Sequence, residues 1–146
     1  MPEFNQKVYD KAIQLLVGRL HTTGELFKKL KHRGFDDHAI RPVLKQLEEL
    51  QFLDDERFAQ VFVENLKQYK DWGYFGIRAK LMQRQIPNEI IQSVLADFFT
   101  SADEEKVALR LLGKLKKQNK ASYEKIARAF SARGFRSEAI KKALTS

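Results

Sequence analysis

Leu26-xxx-Leu30-xx-Arg33-Gly34-Phe35 returns as Ile77-xxx-Leu81-xx-Arg84-Gln85-Ile86 and again as Ile126-xxx-Phe130-xx-Arg133-Gly134-Phe135, at offsets of 51 and 49 residues. Each copy is followed, in register, by a residue of helix-capping type: Asp37, Asn88 and Ser137. Three positions on come Ile40, Ile91 and Ile140, and four further on Leu44, Leu95 and Leu144. Apolar, basic and capping positions that recur together at this period describe an array of supersecondary units, stacked because one unit alone cannot bury its apolar face. The repeat divides the chain into residues 1–52, 53–102 and 103–146. Units of this size bury too little surface to be stable alone and are expected to lean on one another.

Each unit reads as three helices. In the first, Ala12, Ile13, Leu15, Leu16 and Leu20 form a stripe of helical period, and Thr22-Thr23-Gly24-Glu25 fits a capping box that starts a second helix. That helix stops at Arg33-Gly34, where glycine can take the left-handed conformation. A third runs from the Asp37 cap to about Gln51, with a bend expected at Pro42, which removes a helical hydrogen bond. The second unit opens on Leu53-Asp54-Asp55-Glu56-Arg57-Phe58-Ala59, with Asp54 as N-cap, an acidic first turn suited to the helix dipole, and Phe58, Ala59, Phe62 and Leu66 as its buried stripe. Gln85 replaces the glycine of the other copies, so that helix end is expected to close differently. In the third unit Val107, Ala108, Leu111, Leu112 and Leu115 share one arc, while Lys106, Arg110, Lys114 and Lys117 share another about 80° wide. No segment alternates with period two between turn dipeptides, so the chain is all-α.

Composition narrows the class of function. Hydrophobic content of 43% with eleven Phe indicates a folded protein. There is no Cys, which removes disulfides and thiolate chemistry. No apolar run approaches a membrane span and the N-terminus lacks a signal-peptide pattern, so a cytoplasmic protein with no membrane partner is expected. The net charge of +8 is uneven: +2 over residues 1–52, −1 over 53–102 and +7 over 103–146. A basic last third suits either a polyanionic or acidic partner or a solvated lysine-rich surface.

A catalytic centre cannot be assembled from these residues. His21, His32 and His38 have no cysteine or HExxH-type spacing beside them, so neither a metal nor another cofactor is expected. The consecutive acids Asp54, Asp55 and Glu56 point about 100° apart on a helix and do not converge on one ion. Gly73-xx-Gly76 lacks the remainder of a phosphate loop. The aromatic run Trp72, Tyr74, Phe75 either seals a corner between helices or offers a contact surface. Arg33, Arg84 and Arg133 each stand at the end of a second helix, where the dipole alone favours a cation. The residues singled out for contact with a partner or with DNA are Lys106, Arg110, Lys114, Lys117, Lys125, Arg128, Arg133, Arg84, Trp72 and Tyr74.

Taken together these blocks resemble the RecX family of bacterial regulators of the RecA recombinase. The most specific element is Leu53-Asp54-Asp55-Glu56-Arg57-Phe58-Ala59, similar to the family's LDDxRFA block. It is joined by His21-Thr22-xx-Glu25-Leu26-xx-Lys29-Leu30-xx-Arg33-Gly34 and by Arg133-Gly134-Phe135 with Ile140 downstream, and the likeness covers about residues 8–146. Trp72-Gly73-Tyr74-Phe75-Gly76 and Gln85-Ile86 depart from the family's usual glycine-tyrosine-glycine-proline and glycine-isoleucine. The resemblance implies three tandem three-helix repeats in a curved, elongated array. It also implies a non-enzymatic activity: binding in the groove of the RecA filament on DNA and limiting its growth, ATP hydrolysis and strand exchange. A monomer is expected, and weak binding to single- or double-stranded DNA is compatible with this reading. A nonspecific DNA-binding trihelical protein is the alternative.

Overall fold

The computed structural model describes residues 4–119 and 122–145. Among them are nine helices and no strand: α1 Gln6–Gly18, α2 Thr23–His32, α3 Asp37–Glu49, α4 Asp55–Tyr69, α5 Tyr74–Gln83, α6 Asn88–Phe98, α7 Ser101–Lys117, α8 Tyr123–Ala132 and α9 Ser137–Leu144. The fold is an all-α helical repeat array.

The registered capping positions mark helix starts, but as first helical residues rather than caps. Asp36 is the N-cap of α3 and accepts from the Ala39 amide; Pro87 and Arg136 hold the same place before α6 and α9 and make no side-chain cap bond. Each helix therefore begins one residue earlier than expected: the extended residue that precedes it is Asp36, Pro87 or Arg136, with ψ of 167°, 143° and 151°, and Asp37, Asn88 and Ser137 have already entered the helix. The Thr22–Glu25 capping box is present as expected, and Asp54 accepts from the Arg57 amide. Helix α3 runs unbroken through Pro42. Gln85 closes α5 as a glycine would: its φ is 60°, beside 94° at Gly34 and 75° at Gly134. The expected difference at that helix end is therefore absent, and Gln85 carries the left-handed strain instead.

The chain packs as two compact units. The first comprises residues up to Phe58 together with Arg84–Ile86. Its core gathers Val8, Ala12, Leu26, Leu30, Ile40, Val43, Leu44, Leu47 and Leu53, with Ile13, Leu15, Leu16, Phe27 and Phe35 packed against it. Each such Leu or Ile contributes about 1.5–3 kcal/mol by leaving water. Leu20 falls outside the expected stripe: it lies beyond the end of α1 and is exposed.

The second unit comprises Ala59–Gln83 and the residues from Pro87 onward. It buries Val63, Leu66, Ile77, Leu81, Ile91, Leu95, Leu111, Leu115, Ile126, Phe130 and Phe135, among others. Phe62 is only half-buried; Val63, one position on, takes the inward place on α4. Of the registered isoleucines, Ile40 and Ile91 are buried and Ile140 is half-buried, because on the short α9 the inward face passes through Ala139 and Ala143.

Both units contain the same junction at a helix N-terminus. In the first, α2 opens with its Thr23 amide donating to Asp55 Oδ1 at 2.8 Å and its Thr22 hydroxyl donating to the Arg84 carbonyl at 2.6 Å. In the second, α5 opens with its Tyr74 amide donating to Glu104 Oε2 at 2.8 Å. The Gly73 and Phe75 amides donate to the carbonyls of Arg133 and Gly134 at 2.9 and 2.8 Å. Thr23 and Tyr74 are 51 residues apart, Asp55 and Glu104 are 49 apart, as are Arg84 and Arg133, so these are register equivalents. In each case an acid from one helix start and carbonyls from another helix end satisfy orphan N–H groups and oppose the positive end of the dipole.

Candidate partner-binding surface

Several residues that sequence singles out for partners make contacts within the molecule. Arg84 pairs with Glu25 at 2.9 Å and lies over the Phe58 ring, 4.6 Å from its centroid. Arg110 pairs with Asp71 at 2.8 Å and donates to the carbonyls of Lys67, Gln68 and Lys70, thereby capping the end of α4. Lys114 binds the other Asp71 oxygen. Burial pushes the Asp71 carboxyl up, but Lys114 and Arg110 more than reverse this and leave it below its ordinary value. Lys80 and Arg133 both lie over the Trp72 ring, 4.3 and 5.3 Å from its centroid. Tyr74 lies under Arg136 at 4.2 Å. These contacts give the aromatic run a packing role; Phe75 of that run is half exposed.

The arc of cations on α7 is thus divided. Lys106 and Lys117 are exposed and make no ion pair among the described residues, and the same holds for Lys125 and Arg128 on α8. Arg110 and Lys114 instead neutralise a buried acid.

Sequence reading did not foresee the pair Glu104–Arg136. Glu104 is 1% exposed, and its carboxylate accepts from Arg136 Nε at 2.6 Å, from the Arg136 amide at 3.0 Å and from the Tyr74 amide. One carboxylate therefore serves the starts of both α5 and α9, which explains why α9 has no side-chain cap of its own. The 49-residue register from Asp55 to Glu104 was the available signal.

Basic residues also converge where no arc was expected. Lys28, Lys29, Lys31, His32 and Arg33, with Leu15, line a cavity of about 690 Å³ in the first unit. Lys31 pairs with Asp37 at 2.7 Å. Lys29 Nζ lies 2.7 Å from His21 Nε2, and His21 Nδ1 lies 2.8 Å from the Arg19 carbonyl. An ammonium can only donate and a carbonyl can only accept, so the imidazole is neutral, protonated on Nδ1 and accepting on Nε2. Burial lowers the His21 pKa, and the cations of Lys29 and Arg19 lower it further against the opposing carbonyl bond.

Among the described residues no group of three or more His, Cys, Asp or Glu is placed to hold a metal ion. No helix there is long and apolar enough to cross a membrane.

Comparison with known proteins supplies the remaining constraint. The family model for the first three-helix domain of RecX matches residues 9–47, and that for the second three-helix domain matches residues 54–95. The chain is 33% identical over 140 residues to the regulatory protein RecX of Chlorobium phaeobacteroides, spanning 96% of this chain and 93% of that one. It is 36% identical over 137 residues to the regulatory protein RecX of Chlorobaculum tepidum, spanning 90% and 82%. A crystal structure of regulatory protein RecX matches with a TM-score of 0.84 at 25% identity, over 96% of this chain and 72% of that chain. The crystal structure of RecX from Lactobacillus salivarius matches in fold with a TM-score of 0.85 at 22% identity, over 95% and 93%.

Proposed function

The chain belongs to the RecX family of regulatory proteins, and on that basis we propose that it binds the RecA recombinase filament on DNA and restrains filament growth, ATP hydrolysis and strand exchange. It thereby regulates recombination, DNA repair and the SOS response, acting in the bacterial cytoplasm as a monomer without catalytic chemistry of its own. The observation that carries this reading is the match of both three-helix domain models in sequence order, at residues 9–47 and 54–95.

A repeat array presents an extended surface, and several weak contacts on linked units reinforce one another without any single strong site. In this reading residues 1–52, 53–102 and 103–146 act as three linked contact-bearing repeats. Of the candidate residues, Lys106, Lys117, Lys125 and Arg128 make no ion pair among the described residues and can meet acidic filament surface or DNA phosphates; Arg84, Arg110, Lys114, Arg133, Trp72 and Tyr74 hold the surface in shape.

The test is an ATPase measurement. The purified chain alone should hydrolyse no ATP and should suppress the DNA-dependent ATPase of RecA. The double variant Lys106→Glu, Lys117→Glu should remain folded and suppress it several-fold less well. Full RecA activity at saturating protein would refute the proposal.

A further inference from the structure

The three second helices end alike in sequence but not in surroundings. The Arg84 and Arg133 carbonyls each accept a hydrogen bond at a helix start, and both guanidiniums are occupied, by Glu25 and Phe58 in one case and by Trp72 and the Asp71 carbonyl in the other. Arg33 is the register equivalent of both. It is exposed, and among the described residues neither its guanidinium nor its carbonyl has a hydrogen-bond partner. This register position takes anionic or electron-rich partners wherever it is filled.

Its neighbours make the open position strongly cationic. Lys28, His32 and Arg33 make no ion pair among the described residues, Lys29 binds only a neutral imidazole, and Lys31 alone has a carboxylate beside it. Lys28, Lys31 and His32 follow at i, i+3 and i+4, which places neighbouring side chains about 5–6 Å apart. The carbonyls of this last turn do not oppose an anion: Lys29 and Leu30 accept from the Arg33 amide, Lys31 from the Gly34 amide, and Leu30 again from the Phe35 amide. Among the described residues no carboxylate lines the cavity.

The composition of the lining distinguishes between anionic partners. Protein partners dock around a buried apolar or aromatic anchor, and single-stranded nucleic acids stack their bases on aromatic rings. Among the described residues the cavity has no Phe, Tyr or Trp; its apolar lining is one half-buried aliphatic side chain, Leu15, and its one ring is the His32 imidazole. Lysines and an arginine with a single hydrogen-bonding imidazole suit a phosphate backbone whose bases are already stacked and paired. We infer that the α2 end, through Lys28, His32 and Arg33, grips the backbone of duplex DNA without reading its sequence. None of the cations of α7 and α8 is part of this set, and the grip does not depend on the recombinase.

The full chain is titrated against two fluorescent duplexes of unrelated sequence, the matching single strand and polyglutamate, over a range of salt. In Lys28→Gln, Arg33→Gln the slope of log affinity against log salt on duplex should fall by about 1.8, near 0.9 for each phosphate no longer neutralised. The weakening should be the same for both duplexes and smaller for the single strand. Lys28→Gln alone, an exposed change, should produce about half of it. An unchanged duplex slope, a larger weakening on the single strand, or weakened polyglutamate binding with duplex binding intact would overturn the proposal. Because no recombinase is present, neither result bears on filament inhibition, and a failure of inhibition leaves this titration as it stands.

Discussion

The hydroxyl of Thr22 donates to the carbonyl of Arg84 at 2.6 Å while accepting from the Glu25 amide at 3.2 Å, so one buried side chain both caps α2 and ties it to residues 62 positions away. Thr22→Val removes the cap, at about 0.5–2 kcal/mol, and leaves the Arg84 carbonyl without its partner, at about 1–3 kcal/mol. A loss of about 2–4 kcal/mol in urea unfolding is expected, with Thr22→Ser losing less than about 1 kcal/mol because it keeps the hydroxyl.

Glu104 is the corresponding anchor of the second unit. Glu104→Ala strands the Arg136 guanidinium and deprives the Tyr74 and Arg136 amides of their acceptor. Removing one member of a buried pair costs about 3–5 kcal/mol. Hydrogen exchange should show those two amides opening faster than their neighbours. Glu104→Gln, which keeps one acceptor oxygen, should cost less.

Left-handed helix ends give a contrast between equivalent positions. Gln85→Gly relieves a left-handed side chain, worth about 1–2 kcal/mol, against a greater entropy loss of about 0.5–1 kcal/mol. Thermal unfolding should rise slightly or stay level. Gly134→Ala should lose about 3 kcal/mol or more, because the new Cβ would stand 2.2 Å from the Gly76 nitrogen. Gly34→Ala meets nothing within 4 Å and should cost only the conformational strain, about 1–2 kcal/mol.

The neutral His21 makes the first unit sensitive to acid. Its pKa in the folded chain lies below the ordinary 6.5, so the unfolded chain takes up the proton first. Stability is therefore full above pH 6.5 and is lost as pH falls below it, as imidazolium forms beside Lys29 and Arg19, with Glu25 opposing them. Burial raises the Glu25 carboxyl and the Arg84 and Thr22 contacts bring it below its ordinary 4.5, so Glu25 contributes only to a later acid transition. Urea midpoints at about pH 7.5 and 5.5 should differ more in the natural chain than in His21→Asn.

Helix class, the three-fold register and most inward positions were legible because apolar spacing and turn residues are local signals. Leu26, Ile77 and Ile126 stand buried where the repeat put them. The caps were misplaced by one residue since Asp36 and Asp37 are both good capping types, and only backbone angles separate them. The cationic arc on α7 was legible as a pattern, but not its use: Arg110 and Lys114 find Asp71, about forty residues earlier, through packing that a helical wheel does not contain. The basic cavity was hidden by averaging, since the acids among residues 1–52 dilute the charge of that stretch to +2 although none of the described ones lines it.

The second unit's junction is made largely of main-chain atoms, Gly73 and Phe75 amides meeting Arg133 and Gly134 carbonyls. Exchange of surrounding side chains leaves such a seam untouched, so a lineage can drift far in composition and still assemble the same array. What the seam cannot absorb is volume: a Cβ on Gly73 would lie 2.4 Å from Phe135 Cα, and one on Gly76 would lie 2.4 Å from the Arg133 oxygen. Evolutionary freedom at this joint is broad in chemistry and narrow by the width of a methyl group.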